Sequence, residues 1–267
     1  MSNIQIPAPS PRVAPVDEGC SVMLYDDPDL YDALLPASPE QMAFYCNLAR
    51  ARAGAVLELA CGSGQMLVPI SAQGVSATGL DLSSKMLAGM RQRAAASAVQ
   101  VQCIEADMRD FNIKQRFSLI FIARNSLLHL FELDDFSAFF AAVRRHLEPN
   151  GVLAFDIFNP SMQVVSRPSG ERFHVMRKTS PLHGELIVEA TSDYDRQSQV
   201  NRATWFISTS EQRDRWVVPL HLRSIYPQEL LALLALNRVC LMSRDGDFTG
   251  GRFTSMSANQ VCQCRFD

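Results

Sequence analysis
The chain has 267 residues, 47% of them hydrophobic and 20% charged, with a formal net charge of −3. That length can bury the core of one large domain, or of one domain with a lid, and the near-neutral balance supplies no basic footprint for a nucleic-acid backbone. Seven cysteines and five histidines fall without metal-ligand spacing, and no apolar run approaches the roughly 18 residues that cross a bilayer. The expectation is a cytoplasmic protein with reduced thiols and no metal, contacting neither nucleic acid nor membrane.

Residues 1–19 hold Pro7, Pro9, Pro11 and Pro15 among small polar residues and read as a flexible tail. An acidic segment with two tyrosines, Tyr25 and Tyr31, follows. Ser38-Pro39-Glu40-Gln41 then opens a helix to about Arg52, with Ser38 as cap and Gln41 closing a capping box.

Residues 56–65 run from a buried-strand sequence into Ala60-Cys61-Gly62-Ser63-Gly64, with a helix at 66–72 beyond. Strand, small-residue turn and helix in that order place a ligand at a helix N-terminus, and glycines let it touch backbone. The second strand, 76–80, ends at Asp81, an acid placed to accept from two ribose hydroxyls, and Ser83 caps a helix at 84–96. A pyrophosphate loop would prefer glycine at position 67, where this chain has Leu67. The loop fits a nucleoside without pyrophosphate, which disfavours a nicotinamide oxidoreductase.

A third strand, 99–104, ends at Glu105-Ala106-Asp107-Met108, where Asp107 can accept from an adenine amino group and Met108 can cover the ring. The fourth, 117–123, carries no charge and reads as buried on both faces. It delivers Arg124, Asn125 and His129 to the crevice where this kind of sheet binds ligands. A helix at 133–147, a turn at Pro149-Asn150-Gly151 and a fifth strand at 152–157 follow. From Pro160 the periodicity alternates: 173–178, 185–194, 199–209 and 215–226 read as antiparallel strands. A helix from Pro227 to about Leu236, a sixth strand at 238–243 and a last at 260–266 complete the chain.

Three segments together resemble the cofactor motifs of class I S-adenosylmethionine (SAM) dependent methyltransferases, in the same order and spacing. They are Glu-Leu-Ala-Cys-Gly-Ser-Gly at 58–64, Gly-Leu-Asp-Leu-Ser at 79–83 with Met86-Leu87, and Glu-Ala-Asp-Met at 105–108. The resemblance implies an α/β fold with a seven-stranded Rossmann-like sheet, and an antiparallel β lid inserted between core strands five and six. The implied division is a tail at 1–19, a SAM-binding core at 20–159, the insertion at 160–226 and completion of the core at 227–267. It also assigns the cofactor, SAM, to Glu58, Ala60, Gly62, Gly64, Asp81, Leu82, Met86, Asp107, Met108 and Arg124.

The Tyr-Asp start resembles that of small-molecule methyltransferases, which places Tyr25 near the transferable methyl group as a catalytic residue and the segment as a lid. Tyr31, Asn125, Arg223 and Tyr226 are the acceptor-binding candidates; taken alone, Arg223 and Tyr226 each read more readily as exposed strand residues. His129 is the candidate general base, since only an imidazole is near half-neutral at working pH; its alternative is a packing role at a helix start. The Asn/Asp-Pro-Pro-aromatic signature of base-amino methyltransferases is absent, which counts against DNA amines.

The reading is methylation of N or O on a small metabolite, such as an amino sugar or nitrogen heterocycle, by a monomer or homodimer, leaving S-adenosylhomocysteine (SAH). Its rivals are methylation of tRNA or protein, and a SAM-binding interaction protein without catalysis.

Overall fold
The computed structural model describes residues 24–266, and the tail expected at 1–19 lies outside them. A 3₁₀ turn, Leu24–Asp26, leads into helix α1, Pro28–Leu34, whose Asp27 cap accepts from Leu30 N at 2.9 Å. Helix α2, Pro39–Arg52, starts as its sequence dictates, with Ser38 Oγ accepting from Gln41 N at 3.1 Å. The capping box expected of Gln41 does not close. Its side chain is buried and donates to Asp156 Oδ2 at 3.1 Å, because an interior carboxylate is a stronger partner than a solvated cap.

Strands β1 (Val56–Leu59), β2 (Ala77–Asp81) and β3 (Gln102–Glu105) alternate with helices α3 (Leu67–Ser71) and α4 (Ser84–Ala96). Strand β4 (Phe117–Ile122), helix α5 (Leu133–His146) and strand β5 (Leu147–Phe158) follow. All six residues of β4 are buried, as an uncharged central strand requires. The turn expected at 149–151 is absorbed into β5 as an irregularity. Phe117 pairs with Leu147 but Leu119 with Val152, so residues 148–151 loop out of register without ending the strand.

A short helix α6 (Met162–Val165) connects to strands β6 (Phe173–Ser180), β7 (Gly184–Asp195), β8 (Val200–Ser208) and β9 (Trp216–Arg223), which form a separate antiparallel sheet in that order. Helix α7 (Pro227–Leu236) and strands β10 (Val239–Asp245) and β11 (Asn259–Phe266) return the chain to the main sheet. That sheet has the order β10-β11-β5-β4-β1-β2-β3. Strands β1 to β5 pair in parallel, and β11 inserts antiparallel between β5 and β10. The four-stranded sheet is thus an insertion between the fifth and sixth strands of the core.

Strand order reverses between β1 and β4, so the crevice at their carboxyl ends is where such a sheet receives a ligand. One face of the main sheet packs on Phe136, Phe139 and Phe140 of α5 and the leucines of α7; the other packs on Tyr45, Leu67 and Met90 from α2, α3 and α4. A third core lies between α1 and the second sheet, where Leu24, Leu30 and Leu34 meet Leu186, Val188, Trp205, Ile207 and Val218. The N-terminal segment is therefore amphipathic across a seam: its leucines face the antiparallel sheet, and Tyr25, Tyr31 and Asp32 face the crevice.

Candidate active site
The glycine loop is shaped by backbone that ordinary residues avoid. Ala60, Gly62 and Gly64 have φ of 52°, 53° and 76°, and Asp81 at the tip of β2 fixes the result. Its Oδ2 accepts from Gly62 N at 2.7 Å and its Oδ1 from Ser83 N at 2.8 Å, leaving lone pairs on both oxygens toward the cavity. Burial raises the Asp81 carboxyl above its usual range, against the pull of these N–H groups.

A cavity of about 400 Å³ opens at the carboxyl ends of β1, β2 and β4. It is lined by Tyr25 and Tyr31, by Ala60, Gly62, Asp81 and Leu82, and by Ala106, Asp107 and Met108. A smaller adjoining space is lined by Glu58, Arg124 and Tyr31 among others. Glu58 is buried, its Oε2 has no hydrogen-bond partner, and burial pushes its carboxyl well above the ordinary range.

Arg124 and Asn125 end β4 on two successive left-handed residues, φ 61° and 64°, a strained turn for non-glycine chain. Strand β5 holds it: Asp156 accepts from Arg124 N at 3.0 and 3.1 Å, its carbonyl accepts from Asn125 N, and Asn125 Oδ1 accepts from Phe158 N at 2.6 Å. Asp156 is itself buried beneath Tyr45, whose hydroxyl donates at 2.6 Å. The turn aims the Arg124 guanidinium over the Tyr31 ring, 5.1 Å from its centroid, where it also donates to Leu35 O.

In the same cavity, the Tyr25 hydroxyl lies 2.8 Å from His129 Nε2, with the rings edge to face at 5.6 Å. Burial lowers the His129 pKa from its usual 6.5, with His221 a smaller contributor, and burial raises that of Tyr25. Both shifts favour the neutral forms, so the tyrosine donates and imidazole Nε2 accepts.

The structure thus brings Tyr25, Tyr31, Glu58, Ala60, Gly62, Asp81, Leu82, Asp107, Met108, Arg124 and His129 to one crevice. Five residues assigned from the sequence stand elsewhere. Gly64 packs against α4, where an added Cβ would lie 2.5 Å from Met90 Cγ; Met86 is fully buried in the core. Asn125 is committed to Phe158 N. Arg223 is neither exposed nor open to an acceptor: it is 9% exposed and donates to Phe131 O and, at 2.7 Å, to Glu229 Oε1. Tyr226 stands at the start of α7, where its N–H donates to Glu229 Oε2. A strand end beside a helix start offers such residues local partners, and these outcompete a ligand.

Sequence reasoning missed Arg109 and the contacts that make the N-terminal segment, residues 24–34, a strap over the crevice. Arg109 forks onto both Asp107 oxygens at 2.6 to 3.1 Å and onto Asp135 at 2.7 Å, holding the Asp107 carboxyl below its usual range. Its place two residues after Asp107 was the available signal. Asp32 accepts from Ser63 Oγ and Gln65 Nε2, both at 2.5 Å, and pairs with Arg93, tying α1 to the glycine loop and α4. No local pattern announces those partners.

The methyltransferase domain family matches residues 56–151, the span from β1 into β5. Those residues are similar to a methyltransferase domain, and the seven-stranded sheet around them has the Rossmann-like fold of methyltransferases. It is 25% identical to the CcbJ methyltransferase of Streptomyces caelestis, with a TM-score of 0.74 over 86% of this chain and 97% of that one. It is also similar to dTDP-4-amino-2,3,4,6-tetradeoxy-D-glucose N,N-dimethyltransferase of Saccharopolyspora spinosa, 26% identical over 81% of this chain and 82% of that protein. A third relative, dTDP-3-amino-3,4,6-trideoxy-alpha-D-glucopyranose N,N-dimethyltransferase of Streptomyces venezuelae, is 29% identical over 49% of this chain and 56% of its own. The first curated relatives are matched over about half their length.

The residues present fit SAM. The unpartnered Glu58 Oε2 and the Arg124 guanidinium line one space, a carboxyl and a cation that complement the ammonium and carboxylate of a zwitterionic amino-acid end, and a bound ammonium would favour the ionised form of Glu58. Asp81 suits ribose hydroxyls, and the Leu82, Ala106 and Met108 walls suit a flat purine.

Proposed function
We propose that this protein is a SAM-dependent methyltransferase acting on an amine of a small hydroxylated metabolite of the amino-sugar kind, with SAH as by-product. The observation that carries the reading is the Tyr25–His129 pair, at 2.8 Å, lining a cavity whose other walls suit adenosine. The substrates in the names of the two dTDP-sugar relatives support the amine, and the coverage of the Saccharopolyspora relative extends that support through the antiparallel sheet.

When bound, SAM supplies a methyl group on a sulfonium, already activated toward a nucleophile. In this reading Glu58 and Arg124 hold its amino-acid end, Asp81 its ribose, and Asp107 and Met108 its adenine. Leu82 and the Ala60–Gly62 backbone complete the cradle. The chain's own chemistry is alignment and one proton. Tyr25 and Tyr31 exclude water and fix the direction of approach, which can supply a large part of the acceleration. His129, neutral because it is buried, takes up at Nε2 the proton an amine loses on methylation, with the Tyr25 hydroxyl between them.

Calorimetric titration with SAM, SAH and NAD, beside Asp81→Ala, tests the cofactor. Charge-assisted bonds of this kind are worth about 1.5 to 3 kcal/mol, so SAM affinity should fall about ten- to hundredfold in the variant. Binding of NAD in place of SAM would end the reading. An SAH-release assay against a panel of amino sugars tests the acceptor, and SAH binding without turnover on any amine would favour a non-catalytic SAM-binding role.

A further inference from the structure
The cavity of about 400 Å³ is of a size for one small ligand, so an acceptor must sit outside it, against the Tyr25–His129 pair. What stands there is strand β9, the edge of the antiparallel sheet, which packs against both the 3₁₀ turn at Leu24–Asp26 and the turn at Ser126–His129. Alternate residues of β9 have different duties. Trp216, Val218 and Leu220 pack into the core beneath the N-terminal strap. Arg223, on the opposite face, reaches Phe131 O. His221 shares that face one pleat earlier, on a strand that packs against the Ser126–His129 turn.

His221 is exposed and makes no hydrogen bond among the described residues. Its cross-strand neighbour Arg202 is engaged by Asp195 Oδ2 at 3.3 Å. The influence of His221 on the His129 proton agrees with this proximity. An imidazole without a hydrogen bond among the described residues, on an edge strand that packs against both turns bearing Tyr25 and His129 and is anchored two residues on by a buried arginine, is free to bind a group from outside the chain.

We propose that His221 is an acceptor-binding residue that hydrogen-bonds a hydroxyl beside the methylated nitrogen, and so selects a hydroxylated amine. The inference rests on the methyltransferase reading above. His221 touches no reacting atom; it positions the acceptor.

The test compares wild type, His221→Ala and His221→Asn on dTDP-3-amino-3,6-dideoxyglucose, which carries hydroxyls beside its amine, and on dTDP-4-amino-2,3,4,6-tetradeoxyglucose, which carries none. SAH affinity is measured in parallel. His221→Ala should raise KM for the first about tenfold, the worth of one net hydrogen bond, with kcat within about twofold. KM for the tetradeoxy amine and the affinity for SAH should not move, and His221→Asn, which keeps a donor and an acceptor, should recover part of the loss. An unchanged KM, or the same rise on both amines, overturns the assignment. If wild type binds no SAH, the methyltransferase reading fails first; if it binds SAH but turns over neither amine, the acceptor class and the His221 role fall together.

Discussion
The polar residues of the crevice are set by what surrounds each of them. His129 and Tyr25 are an ordinary pair by type; burial gives them their roles, lowering the imidazole pKa from 6.5 and raising the phenol above 10. Activity that needs neutral His129 is lost as pH falls through its folded pKa, which lies below 6.5, so the acid limb of the kcat/KM profile should appear below the ordinary histidine value. His129→Asn should lower kcat by about 10² to 10⁴ while leaving SAH affinity intact, read from initial rates and calorimetry. Undiminished turnover across the pH series returns His129 to a packing role. His146 shows the contrast. Its Nε2 accepts from Ile113 N at 2.9 Å, Nδ1 meets Ala142 O, and its ring stacks on Phe111, so every polar atom is spent on the fold.

Among the elements, α1 and the strand ends decide whether the crevice exists as a site. Helix α1 buries Leu30 and Leu34 in the antiparallel sheet while Asp32 grips the glycine loop, so the strap closes the cavity by being attached on both sides. Asp32→Ala should speed SAH dissociation several-fold in stopped-flow displacement with a nearly unchanged melting temperature, because the leucine face stays buried. A dissociation rate equal to wild type would mean the strap is held by its apolar face alone. Strand β2 has no room for a side chain at Gly79: an added Cβ would lie 2.8 Å from Cys61 Sγ and from Met90 Cε. Gly79→Ala should cost about 1 to 3 kcal/mol, seen as a lower urea midpoint at constant slope.

Across the whole molecule, two sheets share one chain that leaves the core after β5 and re-enters at α7. The re-entry is pinned by Arg223, which joins β9 to Phe131 O and Glu229 and lies over the Phe136 ring at 5.5 Å. Arg223→Leu leaves Glu229 without its cation and should destabilise the protein by about 3 kcal/mol. Unfolding followed by circular dichroism and by Trp205 and Trp216 fluorescence should still coincide, since the N-terminal segment packs on the antiparallel sheet and bonds the glycine loop and α4 of the core. A separate early transition in the tryptophan signal would show that the antiparallel sheet folds independently.

Much of this was legible in the sequence because the causes were local. Gly62, Asp81 and Met108 stand at strand ends that period and charge mark plainly. The four alternating segments after Pro160 read as strands because a half-buried antiparallel sheet writes its two faces into every second residue. What the sequence could not give was pairing at a distance. Nothing near Arg223 says that Phe131 and Glu229 will hold it, nothing near Gln41 says that Asp156 lies beside it, and nothing near Tyr25 says that its hydroxyl ends 2.8 Å from a histidine 104 positions away. Periodicity and turn chemistry determined most elements and their order by themselves, but not the short α6 or the absorption of 149–151 into β5. Only the packed structure decided which polar groups were consumed by the fold and which were left facing the crevice, because burial and partner choice belong to the assembled interior and not to any one stretch of chain.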